Sequence, residues 1–350
     1  MRVLITGNMG YVGPRTVRYL KTQDESIEII GLDMGFFSSC LTGGQVIPET
    51  MVDLQYFGDV RSAGSDLLEG VDAVVHLAAV SNDPMGSRFE KVTDAINHRS
   101  SVRIARLARE KGVKNYVFAS SCSMYGAADD RPRDEDSPLN PLTAYARSKV
   151  ATEEGIRDLA DDDFTVTSLR FATACGMSER LRLDLVLNDF VASAIATGKI
   201  EVLSDGTPWR PLIDVNDMAR AIDWAIRRKK ENGGAFLAVN VGSDKWNYQV
   251  KDLARAVSEV IAGTEVTINE NAQPDKRSYQ VSFARFSRLA PDHQPRYDLE
   301  TTIRELRDGL EAIGFNDPDF RNSELIRLRK LTRLIDSRAI TEDLEWRRPA

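Results

Sequence analysis

Short apolar runs alternate with amphipathic stretches through the first half of this chain. Arg2-Val3-Leu4-Ile5-Thr6 opens it, and Ile27 to Leu32, Val52 to Phe57, Ala73 to Ala79 and Tyr116 to Ala119 follow. Each run predicts a strand. The run from Ala73 reads as buried, with small residues at its C-terminal end that leave room for a ligand. Helical spacing covers about Asp94 to Lys111 and Tyr145 to Leu159. A further helix starts near Asn216 and ends on Arg227-Arg228-Lys229-Lys230, where cations oppose the negative end of the helix dipole. With no internal repeat or low-complexity stretch, the pattern predicts an α/β fold built on a doubly wound parallel sheet. Beyond Asp317, an amphipathic run from Leu325 to Ile335 and then Leu344-Glu345-Trp346 predict a docked helix and a packed tryptophan.

The first strand leads into Gly7-Asn8-Met9-Gly10-Tyr11-Val12-Gly13. Three glycines at this spacing let the backbone turn tightly, bring its N–H groups near a pyrophosphate and pack the following helix on the strand. The helix N-terminus adds partial positive charge. Asp33 closes the second strand twenty residues after Gly13, where a carboxylate can hydrogen-bond both ribose hydroxyls. It would repel a 2′-phosphate, and no arginine directly follows it, so NAD is expected rather than NADP. Asp59 and Val60 after the third strand are placed at the adenine, and Leu77, Ala78 and Ala79 at the edge where a Rossmann sheet binds its cofactor.

Tyr145 and Lys149 stand four residues apart, on one face of a helix. A phenol has a pKa of about 10 and is a poor base at neutral pH, so a nearby ammonium that favours phenolate would move it toward the operating range. The pair by itself is compatible with an accidental helix contact; the cofactor pattern upstream gives it meaning.

Composition narrows the class. The 350 residues are 42% hydrophobic and 28% charged, enough for a large core and two domains. The net charge of −7 argues against nucleic acid as the main partner. Arg99, Arg103 and Arg106 read as a solvated stripe, with a subunit contact to the acidic helix Glu153-Glu154-Arg157-Asp158 as the alternative. No apolar stretch is long enough to span a membrane. Cys40, Cys122 and Cys175 form no spaced framework and suggest reduced thiols in the cytoplasm. His76, His98 and His293 lack ligand spacing, so no metal is expected.

Thr-Gly-x-x-Gly-x-x-Gly at 6 to 13, His76-Leu77-Ala78-Ala79, Ser120-Ser121-Cys122-Ser123-Met124-Tyr125-Gly126, Tyr145 with Lys149, and Asp205-Gly206-Thr207-Pro208-Trp209-Arg210 resemble one family. It is that of the extended short-chain dehydrogenase/reductases, in the NAD-dependent sugar-nucleotide epimerase/dehydratase branch. The resemblance reaches to about residue 315. It implies a Rossmann domain from residues 1–171 and about 213–244, and a smaller, discontinuous substrate-binding domain from about 172–212 and 245–350. It also implies a homodimer joined through a four-helix contact, with Ile96, Ile104 and Leu107 partly shared.

By the same resemblance Ser121 is the catalytic hydroxyl, Tyr145 the acid and base, and Lys149 the residue that holds the nicotinamide ribose. Ser120 and Asn97 match cofactor-supporting positions, although Asn97 reads equally well as a helix N-cap. The substrate, a nucleotide-diphosphate sugar, is assigned to Ser121, Cys122, Ser123, Thr173, Arg182, Asn188, Arg210 and Arg277, with Arg210 on the diphosphate; Arg180 and Lys276 are further candidates. Guanidinium forks suit phosphate because they bind two oxygens at once. Dehydratases of the family carry Asp-Glu where this chain has Cys122 and Ser123, so an epimerase is expected. A ketoreductase or dehydrogenase with net redox change is the alternative. A catalytically silent dinucleotide sensor is a third reading, opposed by the intact Ser121, Tyr145 and Lys149. Cys122 is read as a small buried filler. Cys175 and Asp214, where relatives often have Tyr and His, leave the sugar open.

Overall fold

The structure, a computed structural model, describes residues 1–43, 46–127, 131–272 and 277–347. Its strands are β1 (Arg2–Thr6), β2 (Glu28–Asp33), β3 (Leu54–Phe57), β4 (Ala73–His76), β5 (Asn115–Ser121), β6 (Thr165–Phe171), β7 (Thr173–Cys175), β8 (Lys199–Val202), β9 (Trp209–Asp214), β10 (Phe236–Val241), β11 (Asn247–Gln249) and β12 (Glu265–Ile268). Seven of these form one sheet in the order β10-β6-β5-β4-β1-β2-β3, every neighbouring pair parallel. Strand order reverses between β1 and β4, which opens a crevice at their C-terminal ends. The expected Rossmann sheet is therefore present.

Its two covered faces explain why β4 reads as an apolar run; β6 is buried along its whole length as well, although Thr165, Thr167, Ser168 and Arg170 interrupt its apolar pattern. On one face Val17 and Leu20 of the helix Gly13–Gln23 pack with Ile222 and Ala225 of the helix Val215–Arg227. On the other, Val102, Ile104 and Ala105 of the helix Ser100–Glu110 meet Ile156 of the helix Ala144–Arg157. A second core joins the helices Val186–Thr197, Val250–Val260 and Leu299–Ala312 through Val191, Leu253 and Leu306. Two small sheets, β11-β9-β7 and β12-β8, accompany it. The late segment also serves the Rossmann core, because Val281, Phe283 and Phe286 pack in the same cluster as Val3 and Val239.

Several expectations need adjustment. The helical run expected from Asp94 begins at Glu90 and is π-helical over Asp94–Arg99. Side-chain hydroxyls of Ser101 (2.6 Å) and Thr152 (2.8 Å) donate to the Asn97 carbonyl there, and such bonds loosen the helical ladder. Arg228 is no solvated cap: it is buried and donates to the carbonyls of Val166 and Gly234. Nor can Glu153 face a partner subunit, since it lies inside, in an ion pair with Arg170 at 2.7 Å. Arg103 turns inward to the Ala63 carbonyl, and Arg99 pairs with Asp94. Ile104 belongs to its own protomer's core rather than to a shared surface. The tail does dock, as the helix Arg327–Asp336, but Trp346 keeps 45% of its surface exposed.

Candidate active site

One cavity of about 1110 Å³ runs along the C-terminal edge of the sheet, from Asp33 and Asp59 past Tyr145 to Arg210 and Arg277. The glycine-rich turn forms its floor at the cofactor end. Gly7 has φ +74°, and a Cβ there would stand 2.6 Å from the Ala78 backbone nitrogen; a Cβ on Gly13 would stand 2.1 Å from the Asn8 carbonyl. Only glycine permits this turn. Gly7, Gly10, Tyr11 and Val12 line the cavity. The helix behind them has no side-chain cap and no acid in its first turn, which leaves its N-terminal N–H groups for an anion.

Asn8, Met9 and Gly13, assigned to the cofactor by the sequence, do not line the cavity and shape the turn instead. Asn8 donates to Gln55 at 2.6 Å, and the Met9 N–H donates to Asp33 Oδ2 at 3.0 Å. Asp33 also accepts from the Gly35 N–H at 2.8 Å. Its carboxylate is fixed at the wall, and burial raises its pKa against the two backbone donors. Asp59 is held by Arg61, and Val60, Leu77, Ala78 and Ala79 line the cavity. Ser120 reaches the wall, but its hydroxyl donates to Glu153 at 2.6 Å. Asn97 is neither an N-cap nor a cavity residue: it is buried and clamps Val80 through both its N–H (2.8 Å) and its carbonyl (3.0 Å), and donates to Ser148.

Those donors fit NAD. A backbone cradle that side chains would fill, a helix N-terminus without a side-chain cap and a fixed carboxylate on the ribose side meet the chemistry of an adenine dinucleotide, and the cation that acts on Asp33, Arg180, is taken up by Glu49 rather than held for a 2′-phosphate.

Tyr145 sits in the first turn of its helix, whose N-cap Thr143 accepts from the Ala146 N–H at 3.1 Å. The Ser121 hydroxyl hydrogen-bonds the phenol. Burial pushes the phenol up to about 12, opposed by that hydrogen bond and by the positive charge of Arg182. Here the sequence reading is corrected, because the cation expected to favour phenolate was Lys149. That ammonium donates to the Ala119 carbonyl at 2.6 Å, lies 5.5 Å from the Tyr145 ring centre, and is pushed down to about 7 by burial, with Glu153 opposing. His76, hydrogen-bonded between Thr6 and Ser101, is neutral: burial, with the charge of Lys149, pushes it down to about 3.

Ser123, Thr173, Arg182, Arg210 and Arg277 also line the cavity. Arg182 pairs with Asp184 at 2.9 Å and donates to Ser81; Arg277 pairs with Asp83 at 2.8 Å; Arg210 donates to the Arg277 carbonyl. Two assignments fail. Cys122 is fully buried away from the cavity with its thiol on the Arg170 carbonyl at 3.1 Å, the filler role expected. Asn188 spends its amide on the Gly176 N–H, the Arg182 carbonyl and the Tyr11 hydroxyl. Arg180 is also removed, buried in an ion pair with Glu49 at 2.6 Å. Lys276 lies outside the described residues. Sequence reasoning missed Asp83, Asp184, Tyr279, Arg321 and Arg327, which stand in no motif and reach the wall only through the chain's return.

Comparison with known proteins agrees with this geometry. The model of the NAD dependent epimerase/dehydratase family matches residues 3–242. The chain is 30% identical over 292 residues to UDP-glucose 4-epimerase of Bos taurus, covering 74% of this chain and 81% of that protein. It is likewise 30% identical over 293 residues to the enzyme of the same name from Bacillus subtilis (strain 168), covering 76% and 84%. The fold matches that of MoeE5 in complex with UDP-glucuronic acid and NAD, with a TM-score of 0.75 over 89% of this chain and 99% of that one, at 22% identity.

Proposed function

The chain belongs to the NAD dependent epimerase/dehydratase family, and on that premise we propose that it is an NAD-dependent epimerase of a nucleotide-diphosphate sugar, working through a transient keto sugar. The carrying observation is the single cavity that joins a dinucleotide cradle to an arginine-lined far end, with Ser121, Tyr145 and Lys149 between them. No carboxylate follows Ser121, since Cys122 points into the core and Ser123 offers only a hydroxyl; the acid and base that elimination of water needs are not supplied there.

The turn Gly7–Val12 and its helix N-terminus hold the pyrophosphate, Asp33 the adenosine ribose and Lys149 the nicotinamide ribose. When bound, NAD supplies reversible two-electron chemistry. Tyr145 takes the proton of the reacting sugar hydroxyl and later returns it. Ser121 hydrogen-bonds both that oxygen and the phenol, which keeps the proton path short. Arg182 favours the phenolate that burial opposes. Arg210 and Arg277 hold the diphosphate. Three free, buried cysteines suit the reducing cytoplasm.

NMR of the purified protein with a panel of nucleotide sugars tests the reading. The expected result is a diastereomer of the substrate with no accumulation of NADH. Stoichiometric production or consumption of reduced cofactor with the true substrate would replace the epimerase by a dehydrogenase or ketoreductase.

A further inference from the structure

The family match ends at residue 242, yet the helix Arg327–Asp336 and the turn after it lie against the cofactor half of the cavity. Leu331, Ile340 and Leu344 pack on Val80, Met85 and Phe89, together with Phe36 and Phe37 from the loop after Asp33. Leu344 reaches the cavity wall beside Asp59 and Val60. Its position is fixed by Arg61, the partner of Asp59, which donates to the carbonyls of Asp343 at 2.8 Å and Leu344 at 3.1 Å. Trp346 then donates its indole N–H to the Met34 carbonyl at 2.6 Å, with its ring 5.4 Å from Phe36.

Arg327 adds a charge to this wall. It lines the cavity, is 1% exposed, and lies 4.5 Å from the Phe37 ring. Its Nη2 donates to the Arg180 carbonyl at 2.7 Å, but its Nη1 is buried with no hydrogen-bond partner among the described residues. The nearby acids are already taken: Asp184 by Arg182 and Asn82, Glu49 by Arg180. A buried cation whose nearby carboxylate is shared with another cation is costly, and Asp184 serves both Arg182 and Arg327. An anion entering the cavity would relieve it, and its place beside Phe37 belongs to the dinucleotide end.

We propose that residues 327–346 form a wall of the dinucleotide site, with Arg327 as charge partner of the NAD pyrophosphate and Leu344 with Trp346 closing its adenosine end, so that NAD is retained through turnover. The inference rests on the NAD-dependent reading of the cavity. It explains how a cofactor needed in every cycle stays in an open crevice.

Trp346→Ala, Leu344→Ser, Arg327→Met and the charge-retaining Arg327→Lys test it in the full-length protein. Apo forms, checked for folding by circular dichroism, are titrated calorimetrically with NAD and separately with UDP. The expected result is an NAD Kd raised at least fivefold in Trp346→Ala and Arg327→Met, partial recovery in Arg327→Lys, and a UDP Kd within twofold of wild type. A smaller effect of Trp346→Ala and Leu344→Ser on NAD overturns the proposal. So does a loss of UDP rather than NAD affinity in Arg327→Met, which would give Arg327 to the substrate diphosphate. If Arg327→Met does not fold, the half-exposed Trp346 decides alone. None of these titrations requires turnover, so their failure leaves the epimerase reading standing, and failure of the NMR assay leaves the wall standing.

Discussion

Tyr145 carries the chemistry on a single oxygen. Its hydroxyl is pushed up to about 12 by burial, with Ser121 and Arg182 opposing, so it rests as a phenol and acts as a base only when the surrounding charge favours phenolate. Tyr145→Phe removes that oxygen and little volume. We expect turnover to fall by roughly 10²–10⁴, the usual worth of positioned proton transfer, while the NAD Kd, measured by titration, stays close to wild type. A variant that kept more than about a tenth of the wild-type rate would move the proton-transfer role to another group. Ser121 by hydrogen bond and Arg182 by field lower this phenol, while Asp83 and Cys122 act the other way; the sequence had placed Ser121 on the sugar oxygen and had given the phenol's tuning to Lys149.

Elements meet at Asp214. It caps the helix Val215–Arg227 by accepting from the Asn216 N–H at 2.8 Å, and ties that helix to Leu299–Ala312 by accepting from the Thr302 hydroxyl at 2.9 Å. Burial pushes its carboxyl up to about 7, against those hydrogen bonds and with Asp217 and Glu305 adding to the rise. Its folded-state pKa lies above its unfolded value, so the stability it contributes is complete below about pH 4 and is lost as pH rises through 7. Asp214→Asn retains the cap and the tie and cannot ionise. Thermal melts at pH 5 and pH 8 should therefore show the variant gaining on wild type as pH rises, by roughly 2–4 kcal/mol at pH 8. An unchanged gap across that range would mean that Asp214 is ionised at both pH values.

For the whole molecule, the outer surfaces of the helices Ser100–Glu110 and Ala144–Arg157 are the expected dimer contact. Folding has removed Ile104, Arg103 and Glu153 from that surface into the protomer, leaving Leu107 half-buried, with Arg106, Glu154 and Asp158 exposed. Arginine on one helix and acids on the other are self-complementary across a two-fold axis. Light scattering at micromolar concentration should give twice the 39.0 kDa chain mass. A single-chain mass would return this face to solvent.

The sequence by itself determined the first five strands of the sheet, read as short apolar runs, but not β6, whose Thr165, Thr167, Ser168 and Arg170 hide its burial; it also determined the turn Gly7–Gly13, because no residue but glycine survives contacts of 2.6 and 2.1 Å. Local spacing along one strand or one helix also fixed Asp33, Ser121, Tyr145 and Lys149 at a single edge. The sequence could not decide which polar residues turn inward. Asn97, Asn188, Glu153 and Arg180 carry the same chemistry as true ligands and are consumed by partners 6 to 177 positions away. Lys149 was expected to tune the phenol, yet tertiary packing brought Arg182 into electrostatic reach of it and sent the ammonium to a carbonyl. The tail was readable as a docked amphipathic helix, but where it docks depends on contacts spanning nearly the whole chain: Trp346 meets Met34 across 312 residues, a pairing that hydrophobic period cannot encode and only the closed core selects.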